Sequence, residues 1–144
     1  MRRIGTSGFS LIQMMVAMVM ASVLGATAVP VTGQYLRLYR LSTASDQVAF
    51  DLARARMQAV AQSVFVRLRF PDSTHYVRER SPDNVTFAAD GPVLALPNGV
   101  SASGATTITF QRNGMIPSSV SLTLSNGTSS KTVRTNVLGR VTTL

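Results

Sequence analysis

The chain lacks cysteine, and it has few acidic residues and a single histidine. The absence of cysteine excludes a disulfide framework, a thiolate metal site and a thiol nucleophile. It does not fix the compartment, although an oxidising compartment favours chains without stray thiols. The 14 basic residues outnumber the 6 acidic ones, and the formal net charge is +8. This balance is compatible with nucleic acid, anionic lipid or an acidic protein as a partner.

Residues that carry catalysis are correspondingly scarce. His75 lies beside a turn, and without a second histidine it is interpreted as a solvated loop residue rather than a base or a metal ligand. The scattered carboxylates show neither a paired arrangement nor the spacing of a calcium-binding loop. There is no P-loop and no dinucleotide-binding fingerprint. We therefore expect a protein that is not an enzyme and holds no cofactor and no metal.

Charge is also missing from one long segment, Ile4 to Leu36. Its core, Phe9 to Val29, has 21 mostly apolar residues. As a helix they would span about 30 Å, the thickness of the hydrocarbon of a bilayer. A buried core helix is one alternative, but the rest of the chain is too small to surround it. A cleavable secretory signal ending near Ala26-Thr27-Ala28 is another, but the run is longer than in usual signal peptides. The segment therefore predicts a retained transmembrane helix.

The residues at the start of the apolar run form a pattern. Gly8-Phe9-Ser10-Leu11-Ile12-Gln13 follows Arg2 and Arg3. It resembles the type III signal of prepilins, a short basic leader that ends in glycine before phenylalanine, and it identifies the chain as a type IV pilin-like protein. The resemblance implies that a prepilin peptidase cuts between Gly8 and Phe9 and methylates the new amino terminus of Phe9. Because this cut precedes the apolar run, the membrane helix would stay in the mature protein.

Two further positions concern assembly. Counted from Phe9, Pro30 is the 22nd residue, where type IV pilins characteristically carry a proline that bends or loosens the helix. Gln13 is the fifth, where most pilins have a glutamate thought to neutralise the terminal amine of a neighbouring subunit. Glutamine brings no charge, so Gln13 favours a low-abundance subunit near a filament tip. Drift with bulk assembly retained is the alternative.

Beyond Pro30 the apolar residues keep a helical period. Residues 31–62 are therefore predicted to form the amphipathic half of the same helix, with its apolar stripe packed on a sheet. The predicted stripe consists of Tyr35, Leu38, Leu41, Ser45, Val48, Leu52, Ala55 and Ala59.

At Ser63 the period changes to that of a strand, and the rest of the chain is predicted to form six to eight antiparallel strands. Asn113-Gly114 and Asn126-Gly127 predict hairpin turns, because both residue types tolerate positive φ. The fold class is therefore α+β, with a long N-terminal helix packed on a C-terminal antiparallel β-sheet. The predicted strands are Val64–Phe70, Tyr76–Arg80, Val85–Phe87, Val93–Leu96, Thr106–Gln111, Val120–Ser125, Lys131–Val137 and Arg140–Leu144.

The C-terminal part also resembles the minor pseudopilins of the GspH/FimT group. The matching residues are Thr109-Phe110, Gly114, Val120 to Leu124 and Gly139-Arg140-Val141. The resemblance implies a pilin fold and a structural subunit of a type II secretion or type IV pilus filament.

Basic residues dominate the end of the chain. Arg112, Lys131, Arg134 and Arg140 all follow Asp90, the last acidic residue. Some FimT-like pilins are thought to bind DNA through such residues, so a DNA-binding minor pilin of natural transformation is the alternative function. Four charges can contact phosphates, but no aromatic residue accompanies them as a stacking platform. A solvated or subunit-contacting face is therefore favoured, and a regular strand would place Lys131 and Arg134 on opposite sides.

These inferences describe a protein of the bacterial inner membrane that crosses it once, with its C-terminal domain in the periplasm. The expected partners are prepilin peptidase, other pilins or pseudopilins in a filament, and membrane lipid, with DNA less favoured. Arginines flank both ends of the apolar run, so the orientation rests on the resemblance rather than on charge. The predicted segments are a leader at 1–8, a transmembrane helix at 9–30, its amphipathic continuation at 31–62 and a β-rich domain at 63–144.

Overall fold

The computed structural model describes residues 10–144, apart from the side chains of residues 26–31. The predicted leader, the cleavage after Gly8 and the methylation of Phe9 therefore lie outside the described residues. The side chain of Pro30 lies outside them as well. The chain divides into two compact units between Leu36 and Arg37, and each is described by itself.

A single long helix, α1 Leu11–Gln62, precedes the strands. At its start the backbone N–H of Ser10 donates to Gln13 Oε1 at 3.1 Å. The N–H of Gln13 donates in turn to the carbonyl of Ser10 at 2.9 Å. A glutamine that reaches back to the residue before the first turn is one half of a capping box. Gln13 thus satisfies a backbone donor at the start of the helix.

The helix ends at a left-handed residue. Ser63 has a φ of 54°. Its N–H donates to the carbonyl of Val60, and the N–H of Val64 donates to the carbonyl of Ala59. This pair of bonds is a Schellman motif, which satisfies the last carbonyls and turns the chain out of the helix. The predicted change of period at Ser63 is confirmed at the residue where the helix stops.

Within the described residues the strands form two antiparallel sheets. The first has the order β3-β2-β1-β6, with β4 paired to β2, and the second has the order β5-β7-β8-β9. The predicted α+β class is therefore confirmed. The strands are β1 Phe65–Arg69, β2 His75–Ser81, β3 Ala88–Ala89, β4 Leu94–Ala95, β5 Ser101–Gly104, β6 Thr107–Phe110, β7 Val120–Ser125, β8 Ser130–Thr135 and β9 Val141–Thr143.

The core lies inside the unit Arg37–Leu144, where both sheets and the helix share one hydrophobic cluster. In the first sheet Leu68 pairs with Ile108, and in the second Leu122 pairs with Val133. These side chains are buried because alternate residues of a strand share one face. We call the helix residues that join them the inner helix face: Leu41, Ala44, Ser45, Val48, Leu52, Ala55 and Ala59.

Some sequence expectations are wrong in detail. Tyr35 and Leu38 belong to the predicted apolar stripe but are 71% and 52% exposed. The strand expected at 85–87 lies instead at Ala88–Ala89. The pattern does not predict β5, because Ser101–Gly104 lacks the β-branched and aromatic residues that favour strands.

The turn at Asn113-Gly114 does not close a hairpin, contrary to the prediction. The strand before it, β6, pairs with β1 in the first sheet. The strand after it, β7, pairs with β5 and β8 in the second. The turn therefore leads the chain from one sheet to the other. Asn126-Gly127 does join the hairpin of β7 and β8, as predicted.

The described part of the unit that ends at Leu36 is helical from Leu11. Its apolar side chains are exposed, as Leu11 at 79% and Met18 at 77% illustrate. Among the described residues, no helix combines the length and the apolar character that crossing a membrane requires.

Candidate functional site

Helix α1 carries a second apolar stripe in the unit Arg37–Leu144, on the side away from the core. Tyr39, Phe50 and Met57 are exposed at 60%, 64% and 62%. Their spacings of 11 and seven residues are close to three and two helical turns. We call these three residues the outer helix face. Exposed polar residues such as Asp46 lie between them, so the face is a row of separate apolar side chains rather than one continuous patch. Such a row is a candidate contact surface for a protein or a lipid.

One flank of the helix is hydrogen-bonded to the first sheet. The hydroxyl of Tyr76 donates to Asp51 Oδ2 at 2.6 Å and accepts a hydrogen bond from Gln47 Nε2 at 3.1 Å. Burial, and next the hydrogen bond to the Asp51 carboxylate, raise the pKa of Tyr76. The buried phenol thus stays protonated and ties the helix to β2.

Asp90 makes a second link on the same flank. Gln58 Nε2 donates to Asp90 Oδ2 at 2.6 Å, and Arg78 Nε donates to the same oxygen at 3.2 Å. The Gln58 hydrogen bond and the charges of Arg78 and Arg80 lower the pKa of Asp90 against the opposing effect of burial. A cleft of about 270 Å³ lies between Asp51 and Asp90. Both carboxylates already have hydrogen-bond partners there. These hydrogen bonds hold the helix against the first sheet.

Two glycines meet the other flank of the helix. Gly114 and Gly139 have φ values of 76° and 75°, and Arg56 Nε donates to the carbonyl of Gly114 at 3.2 Å. A Cβ atom on Gly139 would collide with the Gly114 carbonyl oxygen and lie 2.8 Å from Arg56 Nε. Both glycines belong to the pattern that resembles the GspH/FimT group. The structure explains that part of the pattern, because two loops approach each other here too closely for a side chain.

The four basic residues proposed for DNA do not lie on one surface. Arg112 donates to the carbonyl of Pro82, and its guanidinium lies 5.2 Å from the centre of the Phe65 ring. Lys131 Nζ donates to Ser42 Oγ at 3.1 Å. Arg112 is thus held against the first sheet, whereas Lys131 is directed towards the helix.

Arg134 and Arg140 are the two that come together. Arg134 lies opposite Thr142 in the ladder of β8 and β9, and the N–H of Asn136 donates to the carbonyl of Arg140. Arg140 directly precedes β9, so this pairing brings the two arginines to the same end of the second sheet. Both are exposed. Because Lys131 opposes buried Leu124, the predicted placement of Lys131 and Arg134 on opposite faces is confirmed.

His75 is part of a turn cap. Its Nδ1 lies 3.0 Å from both carboxylate oxygens of Asp72. The backbone N–H of Thr74 also donates to Asp72 and is the main reason that the pKa of this carboxyl is low. The ring is 45% exposed. His75 therefore lies beside a turn, as predicted, but it is the first residue of β2 rather than a loop residue. Asp72 is its partner.

The structure describes only some of the residues predicted to serve processing and assembly. Gly8 and Phe9 and the side chain of Pro30 lie outside the described residues, while Gln13 caps the helix. The sequence reasoning missed the outer helix face. The seven-residue interval between Phe50 and Met57 is the pattern that could have revealed it.

Comparison with solved structures finds the same fold in a minor pilin. The type IV minor pilin FimU of Pseudomonas aeruginosa, crystallised in space group P21, superposes with a TM-score of 0.63 and 17% identity, over 75% of this chain and 90% of FimU. A second FimU crystal form, P65, has a TM-score of 0.61 and 16% identity, over 72% and 92% of the two chains. At this identity the likeness shows the fold.

No curated protein matches the chain by sequence. A protein family does: residues 44–139 match the family described as type II transport protein GspH. The match covers more than half of the chain, from Ala44 in helix α1 to Gly139 before β9. The chain therefore belongs to the GspH family.

Proposed function

We propose that the protein is a minor pilin or pseudopilin subunit of a type II secretion or type IV pilus filament, with a structural and not a catalytic role. The outer helix face carries this proposal. Tyr39, Phe50 and Met57 expose 60–64% of their surface, and a neighbouring subunit would remove that apolar surface from water. Membership of the GspH family and the fold of a minor pilin support the same role.

We further infer that residues 9–30 anchor the subunit in the bacterial inner membrane, with residues 63–144 in the periplasm. Two features support this anchor. Ile4 to Leu36 contains no charged residue, and the apolar side chains described in it are exposed and would be covered by lipid. The prepilin-like leader supports processing by a prepilin peptidase before assembly.

Gln13 supports a place of low abundance in the filament. Its carboxamide accepts the N–H of Ser10, a contact that glutamate could make equally well while adding favourable charge at the positive end of the helix. Glutamine therefore gives up the charge, and the cap it makes is no better than the one that glutamate would make. A Gln13→Glu variant is expected to enter filaments at least as readily as the parent. An abundant filament built from the parent chain in cells would contradict this placement.

The test of the proposed function is the chemistry of the amino terminus. In cells that contain prepilin peptidase, the membrane-bound protein should begin with N-methylated Phe9 and keep its apolar helix, as intact-mass analysis would record. Gly8→Leu is expected to leave the leader in place. A mature chain that begins near Val29 would identify an ordinary secretory signal and would overturn the proposal.

A second candidate function, DNA binding during natural transformation, is favoured by the Arg134 and Arg140 pair. Both guanidiniums are exposed on the second sheet, and the described ion pairs include neither of them. Two arginines without a counterion could contact two phosphates of a duplex, independently of base sequence.

Titration of the full chain in detergent with duplex DNA at two salt concentrations tests this second function. Binding should weaken with salt by a log–log slope of about −0.9 for each phosphate contacted. Arg134→Ala and Arg140→Ala should each flatten the slope, whereas Arg112→Ala should not. No binding at low salt would leave the structural subunit as the function.

A further inference from the structure

A cleft with two free arginines lies at the beginning of the unit Arg37–Leu144. It has a volume of about 230 Å³. Three separate segments form it: helix α1, the loop between β4 and β5, and the turn between β7 and β8. The lining residues are Arg37, Arg40, Asn98, Gly99, Val100 and Asn126.

Hydrogen bonds fix the walls of this cleft. Asn126 Nδ2 donates to the backbone carbonyl of Arg37 at 3.2 Å, and its Oδ1 accepts the N–H groups of Thr128 and Ser129. Asn126 thus joins the β7–β8 turn to the helix. On the facing wall, the N–H of Val100 donates to the carbonyl of Pro97 at 3.0 Å and closes a turn. The cleft is therefore a built feature of the fold.

The chemistry of the cleft is that of an anion site. Arg37 and Arg40 are exposed, and neither guanidinium takes part in the ion pairs or side-chain hydrogen bonds of the described residues. No lining residue is acidic. The backbone N–H groups of Asn98 and Gly99 also donate no hydrogen bond within the described part of the chain. Two forked cations beside free amide donors match the oxygens of a phosphate.

The position of the cleft in the sequence points to the source of the phosphate. Arg37 is the first charged residue after Arg3. Arg40 is the second, and the uncharged run before the two arginines ends at Leu36. A headgroup layer begins where the hydrocarbon ends, and a long arginine side chain reaches back towards it. The two guanidiniums would therefore meet lipid headgroups while the subunit is anchored.

We propose that this cleft binds the phosphate of an anionic phospholipid headgroup, such as that of phosphatidylglycerol, in the leaflet that faces the folded unit. The proposal rests on the membrane anchor of the proposed function. A nucleic acid fits less well, because no aromatic side chain lines the cleft to stack a base.

Lipid retention by the full chain tests the proposal. The chain is reconstituted in vesicles of equal amounts of phosphatidylcholine and phosphatidylglycerol and extracted in a nonionic detergent, and the bound lipid is counted by native mass spectrometry. We expect the parent to retain phosphatidylglycerol in preference to phosphatidylcholine. Arg37→Gln and Arg40→Gln should each lower that retention about fivefold. Arg54→Gln, which removes an exposed arginine from the same helix, should retain as much as the parent.

The outcomes separate this inference from the proposed function. Resistance of the reconstituted chain to alkaline extraction tests the anchor; a chain that washes off the vesicles would overturn both. A chain that stays in the membrane but retains both lipids equally would overturn the cleft alone. So would an equal loss with Arg54→Gln. Displacement of the lipid by millimolar inorganic phosphate, or by a short DNA strand, would overturn its assignment as a lipid site.

Discussion

The two faces of helix α1 differ in their exposure to solvent. The inner helix face is almost wholly buried, with Val48 and Leu52 at 0% exposure, while Phe50 and Met57 on the outer helix face are 64% and 62% exposed. All four side chains are apolar, so composition does not distinguish them. Only their angle around the helix does. The inner helix face therefore stabilises the folded unit, whereas the outer helix face is exposed and available to the partner proposed above.

The comparison is tested most severely by truncating one residue on each face. Leu52→Ala is expected to lower the free energy of unfolding by about 3 kcal/mol, because it leaves a cavity in a packed core. Met57→Ala should change it by less than about 0.5 kcal/mol, because its side chain is already in water. Urea unfolding of both variants in the same detergent would measure the difference. Similar losses for the two would contradict the assignment of the faces.

A second stability test concerns the close contact of Gly139 on the flank of helix α1, between its two faces. Gly139→Ala is expected to cost about 2–3 kcal/mol, because a side chain at positive φ is strained and its Cβ would displace the Gly114 carbonyl and Arg56. Gly127→Ala is the matched control, since Gly127 also has positive φ, 84°, but nothing lies within 4 Å of its Cβ position. Thermal unfolding should show the larger loss for Gly139. Equal losses would mean that backbone strain alone matters there.

The opposite flank should make stability depend on pH. Asp90 has a lowered pKa because of Gln58 and the arginines, so the folded state binds its proton less readily than the unfolded chain. The stabilisation is present above the ordinary pKa of 3.8 and is lost as the pH falls through the lower, folded value. Asp90→Asn should lower the free energy of unfolding by about 1–2 kcal/mol near neutral pH. It should also make that free energy fall less steeply as the pH is lowered. An equally steep loss of stability at acid pH in the variant and the parent would contradict this role.

A substitution on the outer helix face should leave stability almost unchanged but impair assembly. Phe50→Ser is expected to change the free energy of unfolding by less than about 0.5 kcal/mol and yet to reduce recovery of the subunit in sheared filaments. Val85→Ser is its control, because Val85 is an exposed loop residue at 80%. Normal recovery of Phe50→Ser would remove the outer helix face from the assembly surface.

The sequence predicted those parts of the fold that depend on local patterns. The helix, its end at Ser63 and strand β7 were predictable, because periodicity and turn chemistry are encoded within a few residues. Strand β5 was not, since Ser101–Gly104 is a strand only through its pairing with β7. The path after Asn113-Gly114 was not predictable either, because the choice between hairpin and crossover depends on partners distant in sequence.

The candidate sites divide in the same way. Arg134 and Arg140 were chosen from the sequence, and their proximity follows from the register of β8 and β9. Arg112 and Lys131 could not be separated from them by charge alone. The cleft around Arg37 combines residues from three distant segments, and only the folded chain brings these together.

The contact of Arg56 with the Gly114 loop also bears on the order in which the chain acquires its structure. The two residues are 58 positions apart, and the Gly139 loop that joins them is made later still. During synthesis the helix therefore emerges long before the segments that cover its inner face. Contacts of such long range form slowly and leave apolar surface exposed in the interval. We therefore expect the uncovered inner helix face to be the part of the nascent chain most prone to aggregate until the last strand has been made.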